Sequence, residues 1–364
     1  MLAAGGTGGH LFPAYALAQE LGLRRIPVDL VTDRRGDRFG TDFPARQIYQ
    51  VASATLGQRS PLGLARTACT LAGGVHAAFS LLGKVKPAAV VGFGGYPSFP
   101  PLFAARLRGI PTALHEQNAV LGRANRLLAR GVTAIATSFD NPRLMDGTAK
   151  SKARLTGNPV RRAVIDCSTR PYAAADPSRP LSLLVFGGSQ GARFFSDTVP
   201  AAVALLPSEI TGRLAIVQQC RQEDLERVRQ AYARLGVAAE IAPFFHNLPE
   251  LMAAAHLVIA RAGASTVAEL AVLGRPSILV PLPHALDNDQ LQNATRLAES
   301  GGAWCIEQRE LTPERMAREI ERLCRNPSEL TRAAAAARAR GRPEAVHRLA
   351  DLVEELMGRR GNSA

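Results

Sequence analysis

The chain has 364 residues, of which 46% are hydrophobic and 21% charged, enough for two domains with separate cores and too apolar for an intrinsically disordered chain. Its net charge of +13 suits nucleic acid, an anionic membrane surface or a phosphorylated substrate. An aromatic content of 5% and the lack of a recognisable binding motif argue against nucleic acid. Lys84, Lys86, Lys150 and Lys152 are the only lysines, so arginine carries nearly all the positive charge. The cysteines Cys69, Cys167, Cys220, Cys305 and Cys324 are odd in number and scattered without a C-x-x-C pair, which predicts reduced thiols and no structural zinc. No run of roughly 18 apolar residues is free of Gly, Pro and charge, and no basic-then-apolar leader opens the chain, so the expected compartment is the cytoplasm.

Residues 1–4 precede a glycine-rich turn, whereas a parallel strand normally takes about five or six residues. The first strand is therefore expected to be either very short or clipped. A helical pattern follows at 14–21. Apolar runs at 28–31, 88–91, 112–114 and 134–136 predict buried parallel strands alternating with helices. A boundary falls near 156–161, because Pro159 biases Asn158 away from the helical region and residues 170–180 are rich in Ala and Pro. Runs at 181–186, 214–218, 257–260 and 277–280 then repeat the alternation. Residues 330–357 read as helix with a break at 341–343. The expected fold class is α/β, two Rossmann-like doubly wound domains at 1–157 and 158–340 facing a cleft, with 341–364 returning as a helix to the first domain.

Three glycine loops stand out: Gly5-Gly6-Thr7-Gly8-Gly9-His10, Gly92-Phe93-Gly94-Gly95-Tyr96 and Gly187-Gly188-Ser189-Gln190-Gly191. Unobstructed backbone N–H groups at a strand-to-helix turn suit an anion. None of the three matches the G-x-x-x-x-G-K-[ST] loop or a clean G-x-G-x-x-G followed by an acidic residue, which disfavours ATP hydrolysis and nicotinamide binding. Diphosphate or sugar hydroxyls are the expected guests. Each loop taken singly is equally explained as a tight turn.

GGTGGHLFPA at 5–14, GFGGYP at 92–97, HEQN at 115–118, TGNPVR at 156–161, GGSQGA at 187–192 and RAGASTVAEL at 261–270 together resemble the MurG family, from Gly5 to about Ala294. The resemblance implies a GT-B glycosyltransferase fold, two Rossmann-like domains with the active site in the cleft between them. It implies an inverting, metal-independent transfer of N-acetylglucosamine from UDP-N-acetylglucosamine to the 4-hydroxyl of lipid I, an undecaprenyl-linked acceptor, giving lipid II for peptidoglycan. The donor would bind mainly the second domain and the acceptor the first. Peripheral attachment to the cytoplasmic face of an anionic membrane surface is implied too, and association with a cell-wall synthesis complex is compatible with it. No cofactor is called for. The rival readings are a UDP-sugar epimerase, a glycosyltransferase with another lipid acceptor, and a noncatalytic sugar-nucleotide binder.

His10 sits where the first glycine loop meets its helix, and an imidazole can take a proton from a hydroxyl at neutral pH. The resemblance makes it the general base rather than a polar residue of a first helical turn. Thr7, Gly8 and Gly9 match positions lining the donor site. Without a metal, the charge growing on the diphosphate must be met by backbone N–H groups, a helix N-terminus and cations. Ser189 and Arg161 are the candidates, against an ordinary N-cap and a solvated arginine. Thr266-Val267-Ala268-Glu269 fits a capping box, while the matching family glutamate grips the ribose, so Glu269 carries both readings. Ala264, Ser265, Thr266, Val267 and Ala268 form the turn presenting it. Phe245 matches the position whose backbone reads uracil, or else packs in the core. Asn118 and Gln290 offer uncharged amide pairs for sugar hydroxyls, or are surface residues. His115 and Glu116 are reserves for proton handling.

Leu71, Val75, Phe79 and Leu82 fall at helical spacing ahead of Lys84 and Lys86, a stripe that fits either core packing or a membrane contact. The spaced aspartates of Asp287-Asn288-Asp289 could hold a metal–diphosphate, but acidic residues also favour a helix N-terminus, and no metal ligand is expected. Transfer by the purified protein should therefore proceed at full rate in excess EDTA. Abolition of activity that magnesium restores would overturn this expectation.

Overall fold

The computed structural model describes residues 1–5, 8–33, 43–53, 61–176, 179–188 and 191–361. The chain divides into two compact units, Met1–Arg161 with Pro343–Ala364, and Arg162–Arg342.

In the first unit the strands are β1 (Leu2–Ala3), β2 (Asp29–Thr32), β3 (Gln47–Gln50), β4 (Val90–Gly92), β5 (Thr112–Glu116), β6 (Ala134–Thr137) and β7 (Ala153–Leu155). They form one parallel sheet in the order β3-β2-β1-β4-β5-β6-β7. Helices cover both faces, so β2, β4 and β6 are buried throughout and are mostly apolar, with Asp29, Thr32 and Thr137 at strand ends. β1 is two residues long yet central, with Leu2 and Ala3 registered against Leu30 and Val31 on one side and Val91 and Gly92 on the other. The ladder continues past it, since the Ala4 N–H donates to Val31 O and the Phe93 N–H to Ala3 O.

The second unit repeats the plan with β8 (Leu181–Phe186), β9 (Leu214–Gln219), β10 (Ala238–Ala242), β11 (Leu257–Ala260), β12 (Ser277–Leu279) and β13 (Ala303–Cys305), ordered β10-β9-β8-β11-β12-β13 and parallel throughout. Its helix Ala264–Leu273 ends at Gly274 with φ 63°, a left-handed cap that also lets helix Pro327–Arg340 approach, since a Cβ there would stand 2.9 Å from Arg338 Cβ.

Helix Gly8–Leu23 buries Leu11, Leu17 and Leu21 on the first sheet. Pro13 lies in its second turn, where the carbonyl left without an N–H partner is that of the exposed Gly9. The chain's last helix, Ala345–Gly361, joins the same core through Leu349, Leu352, Val353 and Leu356. Arg24 adds ion pairs to Asp351 at 2.6 Å, Glu20 at 2.8 Å and Glu354 at 3.2 Å, and His347 Nδ1 lies 3.0 Å from Glu20.

Helix Pro61–Val85 carries the predicted apolar stripe, and the structure divides it. Leu82 is 1% exposed and belongs to the core. Leu71 and Val75 are half-buried and Phe79 is exposed, with the Arg108 guanidinium carbon 3.8 Å from its ring centroid. The 21-residue stretch Ala65–Val85 has the length and mean hydropathy, 1.2, of a spanning helix, yet only 17% of its most apolar window is buried.

The two kinds of contact holding the last helix differ in strength. Leu356→Ala, which empties a fully enclosed site, is expected to cost roughly 2–5 kcal/mol. Asp351→Ala removes a side chain that is 67% exposed and is expected to cost under about 1 kcal/mol. Urea unfolding followed by circular dichroism compares the two, and equal midpoint shifts would contradict the ranking.

Candidate functional site

In an open parallel sheet, ligands bind beyond the C-terminal ends of the strands where the strand order reverses. In the first unit that switch lies between β1 and β4, and the loops leaving these strands are the first two glycine loops. In the second unit it lies between β8 and β11, which launch the third glycine loop and the turn Arg261-Ala262-Gly263. The topology therefore gathers the sequence motifs at one edge of each sheet.

His10 stands in the first turn of helix Gly8–Leu23 and is half-buried. Gly8 is buried beside it and Gly9 exposed. The imidazole faces the loop after β4, where Gly94 and Gly95 adopt φ of 84° and 69°. A Cβ on Gly95 would sit 3.4 Å from His10 Nε2, and one on Gly94 3.4 Å from Cε1. The positive φ favours glycine at both positions, and a Cβ at either would rest in contact with the ring. His10 Nδ1 lies 3.2 Å from Gln117 Oε1. Burial pushes the imidazole below its ordinary value of 6.5, opposed by hydrogen bonds to Gln117 and the Phe93 backbone.

β5 ends in His115 and Glu116, 0% and 1% exposed. His115 Nε2 lies 3.0 Å from Gly157 O, and burial lowers its pKa to about 4. The Glu116 carboxylate accepts hydrogen bonds from Asn118 N at 2.9 Å, Gly122 N at 2.8 Å and Asn125 Nδ2 at 2.8 Å, while burial raises its pKa against these bonds. It folds the loop that carries Asn118, whose Nδ2 also donates to Glu116 Oε1 at 3.3 Å. The Arg161 guanidinium carbon is 5.5 Å from the Phe12 ring centroid, a cation–π contact. Thus the first turn of helix Gly8–Leu23, carrying His10, lies against the loop after β5 that carries Gln117 and Asn118.

In the second unit, Gln219 at the end of β9 accepts from Gly187 N at 3.0 Å and donates to Pro243 O at 3.2 Å, pinning the third glycine loop to the segment before Phe245. Phe245 is buried, which is its core-packing reading, while Phe244 is 55% exposed. Helix Ala264–Leu273 starts from Gly263, and no side chain caps it. The capping-box reading of Thr266 and Glu269 is corrected here: Gly263 is the N-cap, so Glu269 lies in the second turn, 5% exposed. Of the presenting turn, Ala264, Ser265, Thr266 and Ala268 are half-buried and Val267 is core. Ser265 Oγ is enclosed and has no hydrogen-bond partner among the described residues.

Arg261 precedes this turn with its guanidinium donating to Val280 O and Pro281 O at 3.2 Å each and to Gln308 Oε1 at 2.6 Å. Burial pushes it down to about 10. Gln290 Oε1 accepts from Leu282 N at 2.9 Å. Asp287 and Asn288 hold φ of 55° and 54°, and helix Asp289–Glu299 starts immediately after them. Among the described residues no group of three His, Cys, Asp or Glu is placed to hold a metal ion. Thr7 and Ser189 lie outside the described residues. Sequence reasoning left Gln117, Gln219 and Arg261 without a role. The signal that could have found them was a polar residue closing an otherwise apolar strand run or starting the loop after it.

The models of the glycosyltransferase family 28 N-terminal domain and C-terminal domain match residues 1–137 and 182–353. A relative from Mesorhizobium japonicum, described as UDP-N-acetylglucosamine–N-acetylmuramyl-(pentapeptide) pyrophosphoryl-undecaprenol N-acetylglucosamine transferase, is 53% identical over 98% of this chain and 94% of its own. A relative of the same description from Rhodopseudomonas palustris is also 53% identical, over 98% and 96%. The crystal structure of Acinetobacter baumannii MurG is 31% identical with TM-score 0.80, covering 98% of both chains. UDP-GlcNAc 2-epimerase from Neisseria meningitidis, at 14% identity and TM-score 0.67 over 98% and 99%, shares the fold alone. Full-length identity to these transferases, with both domain models matched in order, places the chain in the MurG family of family 28 glycosyltransferases.

Proposed function

We propose that the chain transfers N-acetylglucosamine from UDP-N-acetylglucosamine to the 4-hydroxyl of the N-acetylmuramyl unit of lipid I, forming lipid II with inversion. The observation that carries this reading is the full-length identity of 53% to transferases of that description. His10, beside Gln117 and against the glycine pair, supplies a base of the right kind. The acceptor oxygen attacks C1 of the donor sugar, its proton passes to His10, and the C1–oxygen bond to the nucleotide breaks. UDP leaves with the bonding electron pair.

The second unit suits the leaving group. An uncapped N-terminus of a ten-residue helix directs N–H groups and positive potential outward, and Ser265 Oγ stands there with no partner among the described residues. We assign this turn, Ala264 to Ala268 with Glu269, to the donor, together with Ser189, Gln290 and the backbone at Phe245. The family resemblance assigns Thr7, Gly8, Gly9 and Arg161 to the donor as well, and Asn118 to sugar hydroxyls.

Purified protein, labelled UDP-N-acetylglucosamine and a lipid I analogue should give a labelled disaccharide lipid. Epimerised sugar formed without acceptor would replace the proposal. His10→Ala is expected to lower kcat by roughly 10²–10⁴-fold. Because His10 titrates below 6.5, it is a neutral base at pH 7, and the wild-type rate should fall as pH drops through that lowered value. A rate with no acid limb anywhere below pH 6.5 over the range in which the protein stays folded would remove His10 from the role.

The lipid acceptor calls for a membrane contact on the first unit. Leu71, Val75, Phe79, Phe99, Phe103 and Leu107 line an open apolar groove of about 450 Å³, near the exposed Lys84 and Lys86 in sequence. Apolar groups flanked by cations bind anionic bilayers reversibly, each cation worth about 1 kcal/mol. Phe79→Ser combined with Lys84→Glu and Lys86→Glu should abolish sedimentation with phosphatidylglycerol vesicles. Unchanged binding by the folded variant would refute this surface.

A further inference from the structure

We infer that Gln117 is the positioning residue that sets the tautomer of His10, at the end of a relay starting from the Gly157 carbonyl. The inference deepens the reading of His10 as the base and rests on it for its catalytic consequence.

The argument follows from what each atom can do. Gly157 O can only accept, so the His115 Nε2 that lies 3.0 Å from it carries the hydrogen. With its pKa at about 4, His115 is neutral near pH 7, which leaves Nδ1 as a lone-pair acceptor. Gln117 Nε2 lies 2.9 Å from that atom, 3.0 Å from Phe93 O and 3.1 Å from His115 O. All three are acceptors, so only the amide NH2 can face them. Rotating the amide by 180° would set its oxygen against two carbonyl oxygens and a lone pair. Gln117 Oε1 is thereby forced toward His10 Nδ1, 3.2 Å away. An amide oxygen only accepts, so in the neutral ring His10 Nδ1 holds the hydrogen and the lone pair lies on Nε2; the Phe93 carbonyl, the ring's other hydrogen-bond partner, is itself held by the Gln117 amide.

The relay is enclosed. His115 and Gln117 are 0% and 2% exposed, so water does not compete for these bonds. Its members come from β5, the loops after β4 and β5, and the segment after β7, where Gly157 holds φ 90°. The charged neighbour that the relay presents to His10 is His115 in its protonated form, and that form is absent at neutral pH. An amide thus does here what a carboxylate does in a Ser-His-Asp triad, orienting the ring without adding a negative charge.

Nitrogen-15 NMR of histidine-labelled full-length protein reads the tautomer directly, without any reaction. Wild type at pH 7.5 should show His10 with a protonated Nδ1 and an unprotonated Nε2. Gln117→Met should give a tautomer mixture and lower kcat by roughly 10²–10⁴-fold, with the donor KM changed less than about threefold. The wild-type tautomer needs no variant, so it carries the test if Gln117→Met does not fold. A fixed Nδ1–H tautomer in Gln117→Met, or an Nε2–H tautomer of His10 in the wild type, would overturn the inference. Tautomer control by Gln117 alongside an active His10→Ala protein would leave the relay standing and defeat only the reading of His10 as the base.

Discussion

A polar side chain at the inner end of a parallel strand is out of reach of water, so neighbouring loops must supply its partners. That requirement organises the first unit. β5 ends in His115 and Glu116, and both are enclosed. Satisfying the Glu116 carboxylate draws in the backbone at Asn118 and Gly122 and the Asn125 amide. Satisfying His115 draws in Gly157 and Gln117. One strand end thus dictates the form of two loops, and His10 is placed against the result.

The second unit meets the same requirement with a different cast. Gln219 spans Gly187 and Pro243, and Asn293 Nδ2 donates to Ala262 O at 3.2 Å. Arg261 spends its guanidinium on two carbonyls and Gln308. Each of these side chains shapes backbone rather than projecting outward. What is left facing outward is main-chain N–H at the start of helix Ala264–Leu273, whose partial charge is fixed by the fold and needs no titratable group. Two sheets of the same plan therefore present opposite chemistry at their switch points.

The central strands were legible because burial on both faces leaves an uninterrupted apolar run. β3, β7, β10 and β13 were not, and all four lie at sheet edges. Gln47-Ile48-Tyr49-Gln50 and Ala238-Ala239-Glu240-Ile241-Ala242 are largely exposed or half-exposed, so nothing in their composition separates them from loop. The break at 341–343 was readable, since Gly341 and Pro343 both resist helix, and helices Pro327–Arg340 and Ala345–Gly361 flank it. Leu82 and Phe79 show the limit of periodicity. Spacing put them on one stripe, but only packing decides that the first is enclosed and the second meets Arg108. Glu269 shows another limit, because a capping box depends on where the helix begins, and Gly263 begins this one three residues earlier than the pattern suggested.

His10 was visible from its place in a glycine loop, but its electrical surroundings were not. They depend on an amide just past the end of β5, far from His10 along the chain. An amide partner has a consequence that a carboxylate would not. Beside a buried carboxylate the imidazolium is stabilised, and the ring tends to be charged before any substrate arrives. Beside an amide the ring stays neutral, with burial holding its pKa below the ordinary value. A weakly basic, oriented imidazole suits a displacement in which the diphosphate departs as a stable anion, since the acceptor hydroxyl loses its proton late and needs a receiver more than a strong base. In a chain of net charge +13, the side chain that holds His10 Nδ1 is thus an uncharged amide, while the nearest carboxylate of that loop, Glu116, is spent on Asn118, Gly122 and Asn125.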